Sequence, residues 1–411
     1  MIRPSILLGK LLLKLARLRG GGSAFPGLIV EKTDPRLLRD VLSSLPLGVV
    51  LILGTNGKTT TTKMTAGILE GRGLRVFTNK TGSNFVRGIL SSLLDRIRPD
   101  GSLDADIAVL ELDEAHSVRF LQAAPVDYVL VLNVQRDQLD RYCEIDHTAA
   151  LLGKTAAGAR KAVILNREDP LVRTLPGKNR IFYGLSQDLK DLFPSDQDLL
   201  SQAEADKEAE ALPADVVLEA MDRDRALYRI GEETFSCSLS LEGAYNAFNA
   251  AGALALCRQI LPDPPPQDLL QPLSEVTSAF GRGEILTLGE AEVRLLLVKN
   301  PSAFRQSLLS FGSGPDPVMI VINDFDADGR DISWLWNVDF SGLEKVHTVS
   351  GTRAPEMALR LKYDQVETGH VNTDLPGALR TFMEGPGPRR IFATYTAMLE
   401  IRRLLTGRSL L

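Results

Sequence analysis

Residues 51–84 read LILGTNGKTTTTKMTAGILEGRGLRVFTNKTGSN, and the fold turns on how this stretch is read. The apolar run LGVVLILG, which ends inside it, has the texture of a strand buried on both faces. The chain then passes through Gly54-Thr55-Asn56-Gly57-Lys58-Thr59 into a helix-patterned segment. Glycines in such a turn let backbone N–H groups close around phosphate oxygens, and a helix start adds a dipole that favours an anion. Lys58 is placed to neutralise the outer phosphates of a nucleotide, Thr59 to offer a hydroxyl to Mg²⁺, and Thr60 belongs with the same cradle. The full G-x-x-x-x-G-K-[ST] pattern lacks its first glycine, because Ile52 stands there and Gly54 gives a shorter loop. The alternative is a tight strand-to-helix turn with an incidental lysine.

Outward from this loop the same texture repeats. LRVFTN, ADIAVLEL, VDYVLVLNV, KAVILN and NRIFYG are apolar runs bounded by polar or turn residues, the pattern of parallel strands separated by helices. Residues 185–212 are acidic and polar and read as an insertion. The segment VVLEAMDRDRALYRIGEETFSCSLSL alternates as a hairpin does, and a helix is expected from Ala244. Beyond Leu288 a second α/β pattern begins, with EVRLLLV, PVMIVIND, KVHTVSG and RRIFATY. The expected organisation is a helical lead over residues 1–46, a central P-loop domain with a parallel sheet over 47–287, and a separate C-terminal α/β domain over 288–411.

Composition narrows the function classes. With 411 residues, 44% hydrophobic and 24% charged, the chain is of ordinary globular character. A net charge of −5 leaves no broad footprint for nucleic acid. Cys143, Cys237 and Cys257 make no metal-like spacing, so no zinc site is expected, and an odd thiol count fits a reducing cytoplasm. Apolar residues Ile6, Leu8, Leu11, Leu12 and Leu15, with Lys10, Lys14 and Arg17 between them, suit an amphipathic helix docked on its own domain. The alternative for that helix is contact with an anionic membrane surface, which would extend a cytoplasmic location to the membrane face.

With Asn56 inside it, the GTNGKT loop resembles that of the Mur ligase and folylpolyglutamate synthetase superfamily. Further stretches are similar to the superfamily in the expected order. VLELDEA puts Glu111 at a strand end, where the resemblance implies a Mg²⁺ ligand. LNVQRDQLDRY matches a segment in which most ligases carry a His at the place of Gln138, and LNREDP supplies Asn166 and Asp169 near the nucleotide. GAYNAFNAAGA opens a helix whose first Asn, here Asn246, is implied to meet adenine, and FGRGE supplies Arg282 toward the phosphates.

KTGSNFVRG, RDQLDRY, ADGRDISWLWNVDF, GTRAPEMALRLKY and TYTAML resemble the MurT family in particular. That resemblance implies an ATP- and Mg²⁺-using subunit that phosphorylates the α-carboxylate of D-glutamate in the stem peptide of lipid II. Ammonia from a GatD-type glutaminase partner would then give D-isoglutamine. None of the three cysteines sits in a Gly-flanked strand-to-helix elbow, which agrees with ammonia arriving from elsewhere. Within the acidic block Asp324, Asp326, Asp328 and Asp331, the resemblance implies one catalytic carboxylate. Asp328 is the first candidate and Asp331 the second, against the alternative of an Asp capping the turn before ISWLW. Asn300, after the first strand of the last domain, is a further candidate contact. The rival readings are an amino-acid-adding ligase, against which Gln138 and the DGRDISW block count, and a nucleotide-binding scaffold without turnover.

Overall fold

The structure is a computed structural model that describes residues 3–18, 24–79, 84–135, 145–193, 212–222, 225–277, 282–288 and 291–407. Helices α1 (Pro4–Leu18), α2 (Ala24–Thr33) and α3 (Leu37–Ser43) come first. They are followed by β1 (Gly48–Leu53), α4 (Lys58–Gly71), β2 (Val76–Thr78), α5 (Val86–Arg96), β3 (Ile107–Glu111) and α6 (Glu114–Ala123). Next stand β4 (Tyr128–Val131), α7 (Ile145–Ala157), β5 (Ala162–Asn166), α8 (Pro170–Arg173) and β6 (Arg180–Leu185). Strands β7 (Val216–Asp222), β8 (Arg225–Ile230) and β9 (Glu233–Ser238) lead into helices α9 (Ala244–Ile260) and α10 (Pro266–Ser274). Together they build a nine-stranded sheet in the order β2-β3-β1-β4-β5-β6-β7-β8-β9. Strands β2 to β7 pair in parallel, and β8 and β9 close the edge as antiparallel neighbours.

The continuous apolar run of β1 follows from having a helical layer on each side. Successive side chains of a strand point to opposite faces. Val50 and Ile52 enter the core shared with Met64 and Ile68 of α4 and Leu254 of α9. Val49, Leu51 and Leu53 enter the opposite core, where Ile6, Leu13, Val30 and Leu37 of the first three helices also sit. Those helices are therefore part of the central domain's outer layer.

The second unit contains β10 (Arg282–Leu288), β11 (Ala291–Leu297), α11 (Pro301–Phe311), β12 (Val318–Val321) and β13 (Lys345–Ser350). It continues with α12 (Ala354–Tyr363), β14 (Glu367–Asn372), α13 (Leu375–Phe382), β15 (Arg389–Ala393) and α14 (Tyr395–Thr406). Its six strands run in the order β10-β11-β15-β12-β13-β14. Here too the sheet is covered twice: Ile320 packs with Phe304 and Met357 on one face, and Met319 with Leu379 and Ile401 on the other.

The sheet moves one expected boundary. A break after residue 287 puts Arg282–Thr287, all but the last residue of β10, in the central domain, yet this strand pairs antiparallel with β11 and forms the edge of the second sheet. The cue for a boundary, the apolar run EVRLLLV, marks the second strand of that hairpin and not the first. The polar insertion lies mostly outside the described residues, which end at Phe193 and resume at Leu212. Cys143 and all of RDQLDRY, Gln138 included, also fall outside them. Among the described residues no helix is long and apolar enough to cross a membrane.

Candidate functional site

Parallel α/β sheets expose their loops and helix starts at the carboxyl ends of the strands, and the crevice opens where strand order reverses. In the first sheet that place is β1, flanked by β3 and β4. The loop after β1 needs its glycines. Gly54 has φ of 131° and Gly57 a φ of 87°, a region that side-chain-bearing residues rarely adopt. A Cβ at Gly57 would lie 2.9 Å from the amide of Asn249, and one at Gly54 would lie 3.0 Å from the backbone of Asn133. Gly57 is also the residue from which α4 starts.

The loop is pinned from the end of β4. Asn56 donates its backbone N–H to Asn133 Oδ1 at 2.9 Å, and Asn133 Nδ2 returns a bond to Asn56 O at 3.1 Å. Thr55 exchanges bonds with the backbone of Gln135, and Asn56 Nδ2 donates to Gln135 Oε1 at 2.8 Å. One side of the loop is thus fixed by a neighbouring strand end, with its polar side chains already satisfied.

Lys58 is buried at the first position of α4. Its ammonium donates to Gly54 O at 2.6 Å and lies 3.4 Å from Glu114 and 3.6 Å from Asp113. Thr59 is half-buried and Thr60 buried on the same first turn. Glu111 ends β3 in register with Ile52, two residues before Gly54, and is buried. Its main chain is held by Asn79 through reciprocal 3.0 Å bonds. Asp169 caps α8 and accepts from Val134 N–H at 2.7 Å, and Asn166 donates to Leu132 O at 2.8 Å, so both brace the end of β4. Burial pushes the Asp169 carboxyl above the usual range.

Across the cleft stands the second unit. Asn56, Gly57, Thr60, Asn246 and Asn249 face Gln306 and Ser310 of α11 around about 750 Å³ of empty space open to solvent. The two units touch at the loop itself. Asn300 Nδ2 donates to Asn56 Oδ1 at 3.2 Å, Lys299 Nζ to Thr55 O at 3.3 Å, and Ser302 Oγ to Gln135 Oε1 at 2.7 Å. Asn300 also caps α11 through Ala303 N–H at 2.8 Å. The structure thus gathers Gly54 to Thr60, Asn246 and Asn300 at one seam. The Arg282 backbone opens β10 near that seam, beside Gly283 of the cleft, while its side chain lies outside the described set.

Asp328 and Asp331 occupy different surroundings. Asp328 is 4% exposed, and its carboxylate accepts from the backbone N–H (2.8 Å) and hydroxyl of Thr396, fastening the start of α14. Burial holds its carboxyl above the usual range. Asp331 is exposed, and its oxygens accept from Ser333 N–H and Oγ at 2.8 and 2.9 Å. That is the turn-opening arrangement left open by the sequence. Asp324 is engaged by Arg353 at 2.7 Å and Asp326 by Arg330 at 2.6 Å.

Sequence reasoning passes over Asn133, Gln135, Asn249 and Glu114. Asn249 is accessible to it, since it lies three residues after Asn246 and so on the same helical face. The contacts of Asn133 and Gln135 are with residues nearly eighty positions away, and no local pattern encodes them.

Comparison with known proteins places these features. Residues 52–257 match the Mur ligase middle domain, and residues 297–398 match the MurT ligase C-terminal family. Over 96% of its length the chain is 30% identical to the MurT subunit of lipid II isoglutaminyl synthase (glutamine-hydrolyzing) from Streptococcus pneumoniae, spanning 95% of that protein. The subunit of the same name from Staphylococcus aureus is 28% identical over the same shares. The fold is shared with the MurF ligase of Thermotoga maritima, solved in complex with ADP, at a TM-score of 0.67 and 17% identity over 92% of this chain and 82% of that one. A Mur-ligase middle domain joined to a MurT ligase C-terminal domain, with 30% identity to a MurT subunit along nearly the whole chain, makes this protein a member of the MurT family of Mur-type ligases.

Proposed function

We propose that this chain is the ATP-using subunit of an amidotransferase that converts the α-carboxylate of D-glutamate in the lipid II stem peptide to an amide. A carboxylate accepts no amine until one oxygen becomes a leaving group, and transfer of a phosphoryl group to give an acyl phosphate supplies it. Ammonia would come from a GatD-type glutaminase partner. Cys237 and Cys257 are both buried, and burial pushes the Cys237 thiol to about 11 and the Cys257 thiol higher still, which is not the state of a nucleophile.

The residues fit a nucleotide. Gly54 and Gly57 pack so closely on Asn133 and Asn249 that a Cβ at either has no room, which fixes the loop backbone at the start of α4, where an anion would bind. Lys58 and the N–H groups at the start of α4 would hold the phosphates, with Arg282 toward them. Asn246 would meet the base, and Thr59 with Glu111 would hold Mg²⁺, which would supply positive charge to neutralise the phosphates. Lys58 is held by Gly54 O and by the carboxylates of Asp113 and Glu114, which orient its ammonium at the start of α4.

One observation carries this reading: Lys299 and Asn300, from the family-specific C-terminal domain, reach the phosphate loop directly. Asp331 is exposed and, among the described residues, lacks the arginine partner that exposed Asp326 has in Arg330, so it is the acidic-block carboxylate proposed to face a partner subunit, whereas buried Asp328 holds the start of α14. The test is incubation of the purified chain with lipid II, ATP, Mg²⁺ and ammonium chloride, followed by mass spectrometry of the stem peptide. Replacement of –OH by –NH₂, lost in Lys58→Ala, supports the proposal. Incorporation of a free amino acid in place of ammonia would overturn it.

A further inference from the structure

Helix α1 has two apolar faces. Ile6, Gly9 and Leu13 are buried on the inner one. Gly9 lets the helix lie close, since a Cβ there would sit 2.6 Å from Val30 and 2.8 Å from Leu94. Arg3 N–H bonds to Pro99 O, Ser5 to Asp34 and Arg17 to Asp95, so the helix is fastened along its length. At 100° per residue, Leu7, Leu8, Leu11, Leu15 and Leu18 fall in one stripe on the opposite side. All five are exposed, from 42% at Leu8 to 76% at Leu18.

A stripe of that kind on a water-facing helix has no role in its own domain's core. Its neighbours select the occupant. The sequence PSILLGKLLLKLARL contains no acidic residue, and Lys10 and Lys14 stand along one margin of the stripe. Phe25 at the start of adjoining α2 is also exposed. The chain as a whole carries a net charge of −5, so this basic, acid-free helix runs against the average. Leucines flanked by lysines, lying in the plane of the surface, match the interface of an anionic bilayer, where acyl chains take the apolar side and headgroup phosphates the ammonium groups.

We infer that α1 is a membrane-docking helix that seats this protein on an anionic lipid surface through Leu7, Leu8, Leu11, Leu15 and Leu18, with Lys10 and Lys14 at the headgroups. The helix is already folded and fastened before contact, so docking requires no ordering of the chain. The inference rests on the outer face of α1 alone, and its test reads binding and not turnover.

The experiment is sedimentation of the full chain with vesicles of phosphatidylglycerol and phosphatidylcholine in equal parts, with pure phosphatidylcholine vesicles beside them. The wild-type chain pellets with the anionic vesicles and much less with the neutral ones. Leu11→Glu/Leu15→Glu lowers the partition about tenfold or more, and Lys10→Gln/Lys14→Gln lowers it on the anionic vesicles only. Thermal unfolding of each variant checks that the inner face still holds. Wild-type protein remaining in the supernatant, or the leucine variant pelleting like wild type, would overturn the inference. So would a wild-type dimer in light scattering that the leucine variant dissolves, because the stripe would then belong to a second copy.

Discussion

Asn56 and Asn300 hold each other through both ends of their amides, with Asn300 Nδ2 donating to Asn56 Oδ1 at 3.2 Å and Asn56 Nδ2 to Asn300 Oδ1 at 3.4 Å. One residue belongs to the glycine-containing loop between β1 and α4 and the other starts the helix after β11, so the loop proposed to hold the nucleotide and the C-terminal domain share a joint. Asn300 has a second duty as the cap of α11. Asn300→Asp keeps the capping oxygen and removes the amide donor. Its melting temperature should stay near wild type while KM for ATP rises several-fold. Asn300→Ala should in addition lose about 1 kcal/mol of stability. Steady-state kinetics and thermal unfolding of the pair separate the two duties.

Lys58 is expected to contribute charge where it develops on the transferring phosphoryl group. Lys58→Ala should lower kcat about 10²- to 10³-fold, the scale for removing one preorganised electrostatic partner. A fall of only two- or three-fold in a phosphate-release assay would mean that the ammonium is structural.

Gly57 tests the loop geometry independently of chemistry. Its φ is 87°, and the Asn249 amide lies 2.9 Å from the place a methyl group would take, so Gly57→Ala meets both a conformational and a steric penalty. The variant should be destabilised by about 1–3 kcal/mol. Gly73, at φ of 82° with open space around it, should lose only the conformational part. Urea midpoints of the two alanine variants measure the difference.

Asp328 and Asp331 should part company. Asp328→Ala removes two acceptors from the start of α14 and should cost about 1–3 kcal/mol, whereas Asp331→Ala, at an exposed turn, should cost under about 1 kcal/mol. Asp328 also carries a pH dependence. Its carboxyl titrates above its unfolded value because burial opposes its charge. The native state therefore holds the proton longer, and this group's contribution is complete below the ordinary carboxylate pKa and is lost as pH rises through the raised one. Asp328→Asn should flatten that decline in a stability-versus-pH series; an unchanged slope would contradict the assignment.

Buried thiols give a simple chemical check. Cys237 and Cys257, with burial raising both, should resist iodoacetamide at pH 8 in the native protein and react once it is unfolded in guanidinium. Peptide mapping by mass spectrometry reads both positions, and rapid native labelling at either would contradict the packing.

The strands are legible in the sequence where both faces are buried, because a run such as VLIL in β1 admits few other readings. β14, ETGHVN, is not, since it is a polar edge strand with most of its side chains in water. β10 escapes notice as part of the second sheet because its partner lies across a turn whose cue resembles the end of a domain. The loop and Asn246 can be named from their types and order. The clasp of Asn133, Gln135 and Asn300 on Asn56 cannot, because it depends on which strand ends the topology brings together. For the acidic block, the sequence leaves a cap and a catalytic role open at each Asp. Burial then distinguishes Asp328, which fastens α14, from Asp331, which faces solvent.

The most direct test of acyl-phosphate chemistry follows the oxygen. Lipid II labelled with oxygen-18 in the D-glutamate α-carboxylate is incubated with the chain, ATP, Mg²⁺ and ammonium, and the released phosphate is examined by mass spectrometry. An acyl phosphate requires that one labelled oxygen leave with phosphate for each amide formed, and that Lys58→Ala abolish both. Amide formed with unlabelled phosphate, or ATP spent with no amide at all in the presence of ammonia and a glutaminase subunit, would contradict it.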